Sequence, residues 1–120
     1  MKRKTLRFGK GFNVVFGNRR AQAAQMVIEP GNAEGNANNR HAGAAQWLFV
    51  VSGSGIATIN DRRYPLRDGT LLLIERGDRH EIRNTGKRTL KTLNVYVPPA
   101  YTAAGNELPA GKPADGRSTR

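Results

Sequence analysis

Short apolar runs separated by glycine-centred breaks dominate the chain, and nowhere does the 3.6-residue period of a long helix persist. That rhythm predicts an all-β domain of sandwich or barrel type. Residues 5–8 and 12–16 read as opening strands, and 22–29 as a third, closed by Pro30-Gly31. Residues 31–45, rich in Asn, Gly and Ala, read as an irregular loop. The strongest run is 46–52, around Trp47-Leu48-Phe49-Val50-Val51; so short a continuous apolar segment predicts a strand buried on both faces. Residues 56–59 and 63–66 alternate apolar and polar on either side of Asn60-Asp61. Both of these residues tolerate positive φ and suit a tight hairpin. Turns at Asp68-Gly69 and Arg76-Gly77-Asp78 bracket a strand over 70–74 and lead into another over 80–83. Residues 90–97 form the last long strand, which Pro98-Pro99 ends because proline cannot donate to a ladder.

A length of 120 residues fits one domain with a core of its own. We place that domain at 1–101; residues 102–120 carry few large apolar side chains and read as a flexible tail. Cysteine is absent, which removes disulfides and thiolate metal sites from consideration. No apolar run is long enough for a membrane helix. Met1-Lys2-Arg3-Lys4 has the charge of a signal-peptide start, but Arg7, Gly9, Lys10 and Gly11 interrupt any apolar segment after it, so a cytoplasmic location is expected. The formal net charge of +11 is concentrated early: Lys2, Arg3, Lys4, Arg7, Lys10, Arg19 and Arg20 all precede Glu29, the first acidic residue. Such a basic arm attracts phosphates. Without interleaved aromatics or a nucleic-acid motif, a solvated surface is favoured over nucleic-acid association.

Two spaced patterns change the picture. The first is Asn39-Arg40-His41, then residues 42–45, Gln46, residues 47–52 and Gly53. The second is Gly69, residues 70–74, Glu75-Arg76-Gly77, two residues, His80, three residues and Asn84. In both spacing and residue type these resemble the two motifs of the cupin superfamily. Asn39 stands where that pattern has its first His, Gln46 where it has Glu, and Glu75 where it has Pro. With the closing Tyr96-Val97-Pro98-Pro99, the resemblance covers about two thirds of the chain and is closest to small single-domain bacterial cupins. It implies a double-stranded β-helix (jelly-roll) barrel. It also implies that Asn39, His41, Gln46 and His80 face the barrel interior as the candidate metal set.

The residue chemistry supports a site independently. On a strand, residues two apart share a face, which pairs Asn39 with His41 and aligns Gln46, Leu48 and Val50. The only two histidines of the chain fall on the motif positions. Two imidazoles can hold iron, manganese, zinc or nickel. Amide oxygens from Asn39 and Gln46 are neutral and weaker donors than carboxylates, so a divalent ion held this way keeps its charge and favours an anionic ligand. Alternatively, the four side chains satisfy one another in a polar pocket without metal. Asn94 and Tyr96 share a face with Thr92 and are candidate proton-transfer residues, or else face solvent or a subunit interface. Either Gln25 or Met26 reaches the pocket, depending on register. Trp47 and Phe49 point opposite to Gln46 and are read as core or dimer packing. Glu81 points away from His80, and no Ser-His-Asp arrangement can be assembled.

Three functions follow as expectations. The first is a small-molecule protein, enzymatic in the manner of dioxygenases or isomerases, with a divalent metal ion and a small anionic substrate. The second is a non-catalytic ligand sensor with a degenerate metal site. The third, ranked last, is nucleic-acid association through the basic arm. A homodimer is expected, with residues 5–16 adding to a partner's sheet.

Overall fold

The computed structural model of the chain describes residues 1–40 and 43–108, with the backbone alone at 36–40. The described residues contain nine strands: β1 (Gly11–Gly17), β2 (Gln22–Ile28), β3 (Ala33–Arg40), β4 (Ala45–Ser52), β5 (Gly55–Ile59), β6 (Arg62–Leu66), β7 (Leu71–Ile74), β8 (Arg79–Arg83) and β9 (Leu90–Val97). One antiparallel sheet has the order β1-β2-β9-β4-β7 and the other β3-β8-β5-β6. Met26, Leu48, Val50, Ile74 and Leu90 of the first sheet and Ala57, Leu66 and Ile82 of the second form one buried apolar cluster, so the core lies between the sheets. This is the double-stranded β-helix that the motif spacing implies.

Turn chemistry explains much of the layout. Asn60 and Asp61 take φ of 49° and 70°, and Ile59 pairs with Arg62 across them. That is the tight hairpin expected of this dipeptide. Asn84, buried at the end of β8, ties three strands' ends together. Its Nδ2 donates to the carbonyls of Ile28 and Arg88, each at 2.8 Å, and its Oδ1 accepts from the Gly86 amide.

Three expectations give way. Residues 5–8 are not a strand; Phe8 has a left-handed φ of 43°, which extended backbone does not allow. The loop expected over 31–45 instead contains β3, which pairs with β8 from Ala33↔Arg83 to Asn36↔His80. Small polar residues have weak strand propensity, and here cross-strand pairing outweighs it. Finally, β4 is buried on one face only. Leu48 and Val50 are fully buried, whereas Trp47, Phe49 and Val51 are 43, 40 and 39 % exposed. The strand lies in a two-sheet fold with the second sheet packed on one of its sides, so its alternate side chains reach the surface.

Candidate ligand pocket

His80 is held by a turn that its own neighbours build. Asp78 Oδ2 accepts from the Glu75 amide at 2.8 Å, and Oδ1 accepts from Asn60 Nδ2 at 2.8 Å. Asn60 Oδ1 in turn accepts from the Arg79 amide at 2.9 Å, and Arg79 reaches Asp61 at 3.0 Å. The mixed-charge stretch therefore anchors the start of β8 through hydrogen bonds, with one exposed ion pair added, worth little by itself. From there alternation turns His80 inward, 4 % exposed, while Glu81 faces out and approaches Arg83 at 3.5 Å. His80 Nδ1 lies 3.5 Å from the Asp78 carbonyl, an approach that favours the tautomer with its proton on Nδ1.

Gln46 enters from the opposite sheet, where β4 pairs it with Tyr96 of β9 and Ile74 of β7. It is 2 % exposed. Its Nε2 donates to Asn94 Oδ1 at 2.8 Å. Asn94 Nδ2 donates to Thr92 Oγ1 at 3.0 Å and approaches the Ala24 carbonyl at 3.4 Å; Thr92 Oγ1 donates to the Met26 carbonyl at 2.8 Å. Gln46 Oε1 is buried and has no hydrogen-bond partner among the described residues. Buried acceptors are nearly always partnered, and an exception invites a functional explanation.

Gln46 and His80 line one cavity of about 210 Å³, together with Phe12, Met26, Glu34, Gly35, Ile82, Tyr96 and Tyr101. Phe12, Tyr96 and Tyr101 form an aromatic wall, with ring centroids 4.5 to 6.4 Å apart. Tyr101 is carried there by Gln22. The Gln22 Oε1 accepts from the amides of Ala100 and Tyr101, and its Nε2 donates to the Tyr101 carbonyl at 2.7 Å. Residues 100–108 close a hydrogen-bonded loop, Leu108 donating to the Ala100 carbonyl and Tyr101 bridging to Glu107. Burial, and next the neighbouring Tyr101, push the Tyr96 hydroxyl well above its ordinary range. Burial pushes Tyr101 up to about 12 even though its hydrogen bond with Tyr96 acts the other way. Both hydroxyls are therefore neutral at physiological pH.

Of the candidate residues, the fold brings Gln46, His80 and Tyr96 to one cavity. Asn94 is fully buried one layer behind, touching Gln46. Asn39 lies in β3 with its side chain outside what is described, and His41 lies outside the described residues. Met26 rather than Gln25 faces the cavity. Phe12, Glu34 and Tyr101 escaped sequence reasoning: Phe12 and Tyr101 come from opposite ends of the chain, and Glu34 from the segment read as a loop.

A metal ion, which the motif resemblance implies, would have His80 and Gln46 as its donors among the described residues of this cavity. His80, with its imidazole, and Gln46, whose buried carbonyl oxygen lacks a partner among the described residues, line the same cavity, with the exposed Glu34 beside them. Among the described residues, no group of three His, Cys, Asp or Glu side chains could hold a metal ion.

Known proteins agree with this architecture. A family model for the cupin domain matches residues 24–96. The chain belongs to the Cupin_2 family. This cupin is 28 % identical over 74 residues to an oxalate-binding protein of Thermotoga maritima; the match takes in 62 % of the chain and spans only 60 % of that relative. A crystal structure from Bacillus halodurans superposes with a TM-score of 0.68 at 25 % identity, covering 82 % of this chain and 76 % of that one. A Klebsiella pneumoniae protein with a double-stranded β-helix domain gives 0.65 at 21 % identity over 79 and 76 % of the two chains. The last likeness concerns the fold alone.

Proposed function

We propose that this cupin binds a small anionic molecule in its barrel cavity through a divalent transition-metal ion. His80 and Gln46 Oε1 would hold the ion, with His41 and Asn39 as the expected further donors. The observation that carries the reading is the buried, unpartnered Gln46 Oε1 beside His80. A desolvated carbonyl oxygen without a partner costs about 1–3 kcal/mol, a cost that a bound cation or donor removes. The metal would supply Lewis acidity, and its uncompensated charge an affinity for carboxylates. Glu34 lies on the same cavity and its negative charge reaches Tyr96 and Tyr101, so it would offset part, but not all, of a divalent ion's charge. The name of the Thermotoga maritima relative supports a small carboxylate such as oxalate.

The chain's own residues do the rest. The rings of Phe12, Tyr96 and Tyr101 line the chamber, and the Tyr96 hydroxyl, held protonated and hydrogen-bonded to Tyr101, adds no negative charge that would repel an anionic ligand. A hydroxyl kept neutral by burial is a poor base, which favours binding over proton abstraction by Tyr96.

Metal analysis of freshly purified protein should find a transition metal, and its loss in His80→Ala and Gln46→Ala. Oxalate with metal should raise the thermal midpoint, whereas oxalate with a chelator should not. Full metal occupancy in His80→Ala would end the proposal. Stabilisation by oxalate in chelator would instead favour a metal-free binding module.

A further inference from the structure

Gln46 presents oxygen rather than nitrogen as its unsatisfied end, and the reason lies two residues away from the cavity. The Met26 carbonyl can only accept, so the Thr92 hydroxyl must donate to it, at 2.8 Å. With its proton committed, Thr92 Oγ1 can only accept, and it takes Asn94 Nδ2 at 3.0 Å. The Ala24 carbonyl, 3.4 Å from the same nitrogen, reinforces that orientation. Asn94 Oδ1 must therefore face Gln46 and receive Nε2 at 2.8 Å, which leaves Oε1 as the open end. Thr92 and Asn94 are fully buried and Gln46 nearly so, so water does not compete at any step. An amide turned the other way would oppose two carbonyl oxygens in a dry interior.

We propose that Thr92, acting through Asn94, is the positioning residue that fixes Gln46 as an acceptor, so that the cavity selects a cation or a hydrogen-bond donor at that point. The inference deepens the metal reading above and depends on it for the nature of the ligand, but not for the polarity of the relay. It also accounts for an amide at position 46. The atom facing Asn94 Oδ1 has to donate, which a carboxylate does not do.

The test has two arms on the full chain. In the first, zinc is titrated into Thr92→Val and Thr92→Ser. The near-isosteric Val removes the hydroxyl that orders the relay and is expected to weaken zinc binding by roughly tenfold to a hundredfold, the cost of one misplaced buried polar group. Ser restores the hydroxyl and should stay within about threefold of the parent. In the second arm, Gln46→Glu is melted in chelator at neutral pH, where it should show a midpoint several degrees lower, since lone pairs then oppose each other at Asn94. Wild-type zinc affinity in Thr92→Val, or an undiminished midpoint in Gln46→Glu, would overturn the relay. Failure of the parent protein to bind zinc would count against the metal reading, and the chelator arm would still decide the relay.

Discussion

Two tyrosine hydroxyls buried inside a protein titrate late, and that has a measurable consequence here. Tyr101 is pushed from its ordinary 10.0 up to about 12, and Tyr96 also lies well above its usual range. A folded-state value above the unfolded one means that the unfolded chain releases its proton first. The stabilisation is therefore complete below about pH 10 and is lost as pH rises through about 12. Thermal midpoints measured from pH 8 to 12 should fall above pH 10, and Tyr101→Phe should lessen the fall; equal slopes in both proteins would contradict this. At this scale the sequence was informative where chemistry is local. His80 and Gln46 could be picked out because motif spacing and residue type mark them. The aromatic wall could not, because Phe12 and Tyr101 meet only after the sheets close, and neither position carries a local signal of a pocket.

Strands were legible wherever their own residues decide the matter. The Asn60-Asp61 hairpin and the alternation along β9 follow from φ preference and period two. The strand β3 did not, because its pairing partner β8, far along the chain, supplies what its composition lacks. Nor did the single-sided burial of β4: a continuous apolar run reveals hydrophobicity but not what will cover it. Between β5 and β8 the contact is close enough to predict a specific failure. A Cβ at Gly55 would run into the Arg83 carbonyl, which belongs to backbone and cannot swing aside. Gly55→Ala should lose about 1–3 kcal/mol in denaturant titration. The turn before β8 gives a second case. Asp78→Ala removes the acceptors of the Glu75 amide and of Asn60 Nδ2, and should both lower the midpoint and weaken metal binding by loosening His80. Unchanged metal affinity would show that His80 is held independently.

The whole chain combines a net charge of +11 with an outer sheet face on which Trp47, Phe49, Leu71 and Leu73 are each at least 40 % exposed. Contiguous exposed apolar groups of this kind mark association surfaces. We propose this face, as well as residues 5–16, as a contact of the expected homodimer, because two strongly basic copies repel and apolar side chains let them approach at least cost. Light scattering should report a dimer that Trp47→Arg converts to monomer; an unchanged mass would move the contact elsewhere. The basic arm, meanwhile, is partly engaged in the fold, with Lys2 Nζ donating to the Gly17 carbonyl at 2.6 Å.

The Gln22 clamp on Ala100 and Tyr101 carries a practical consequence. Barrel and cavity end at different points along the chain: the last rung of sheet is complete at Val97, yet one side of the cavity is furnished by the segment that follows. A version trimmed at Pro99 would keep the residues of every strand and still lack Tyr101 on that side, so for this fold a complete set of strands is no guarantee of a complete cavity wall.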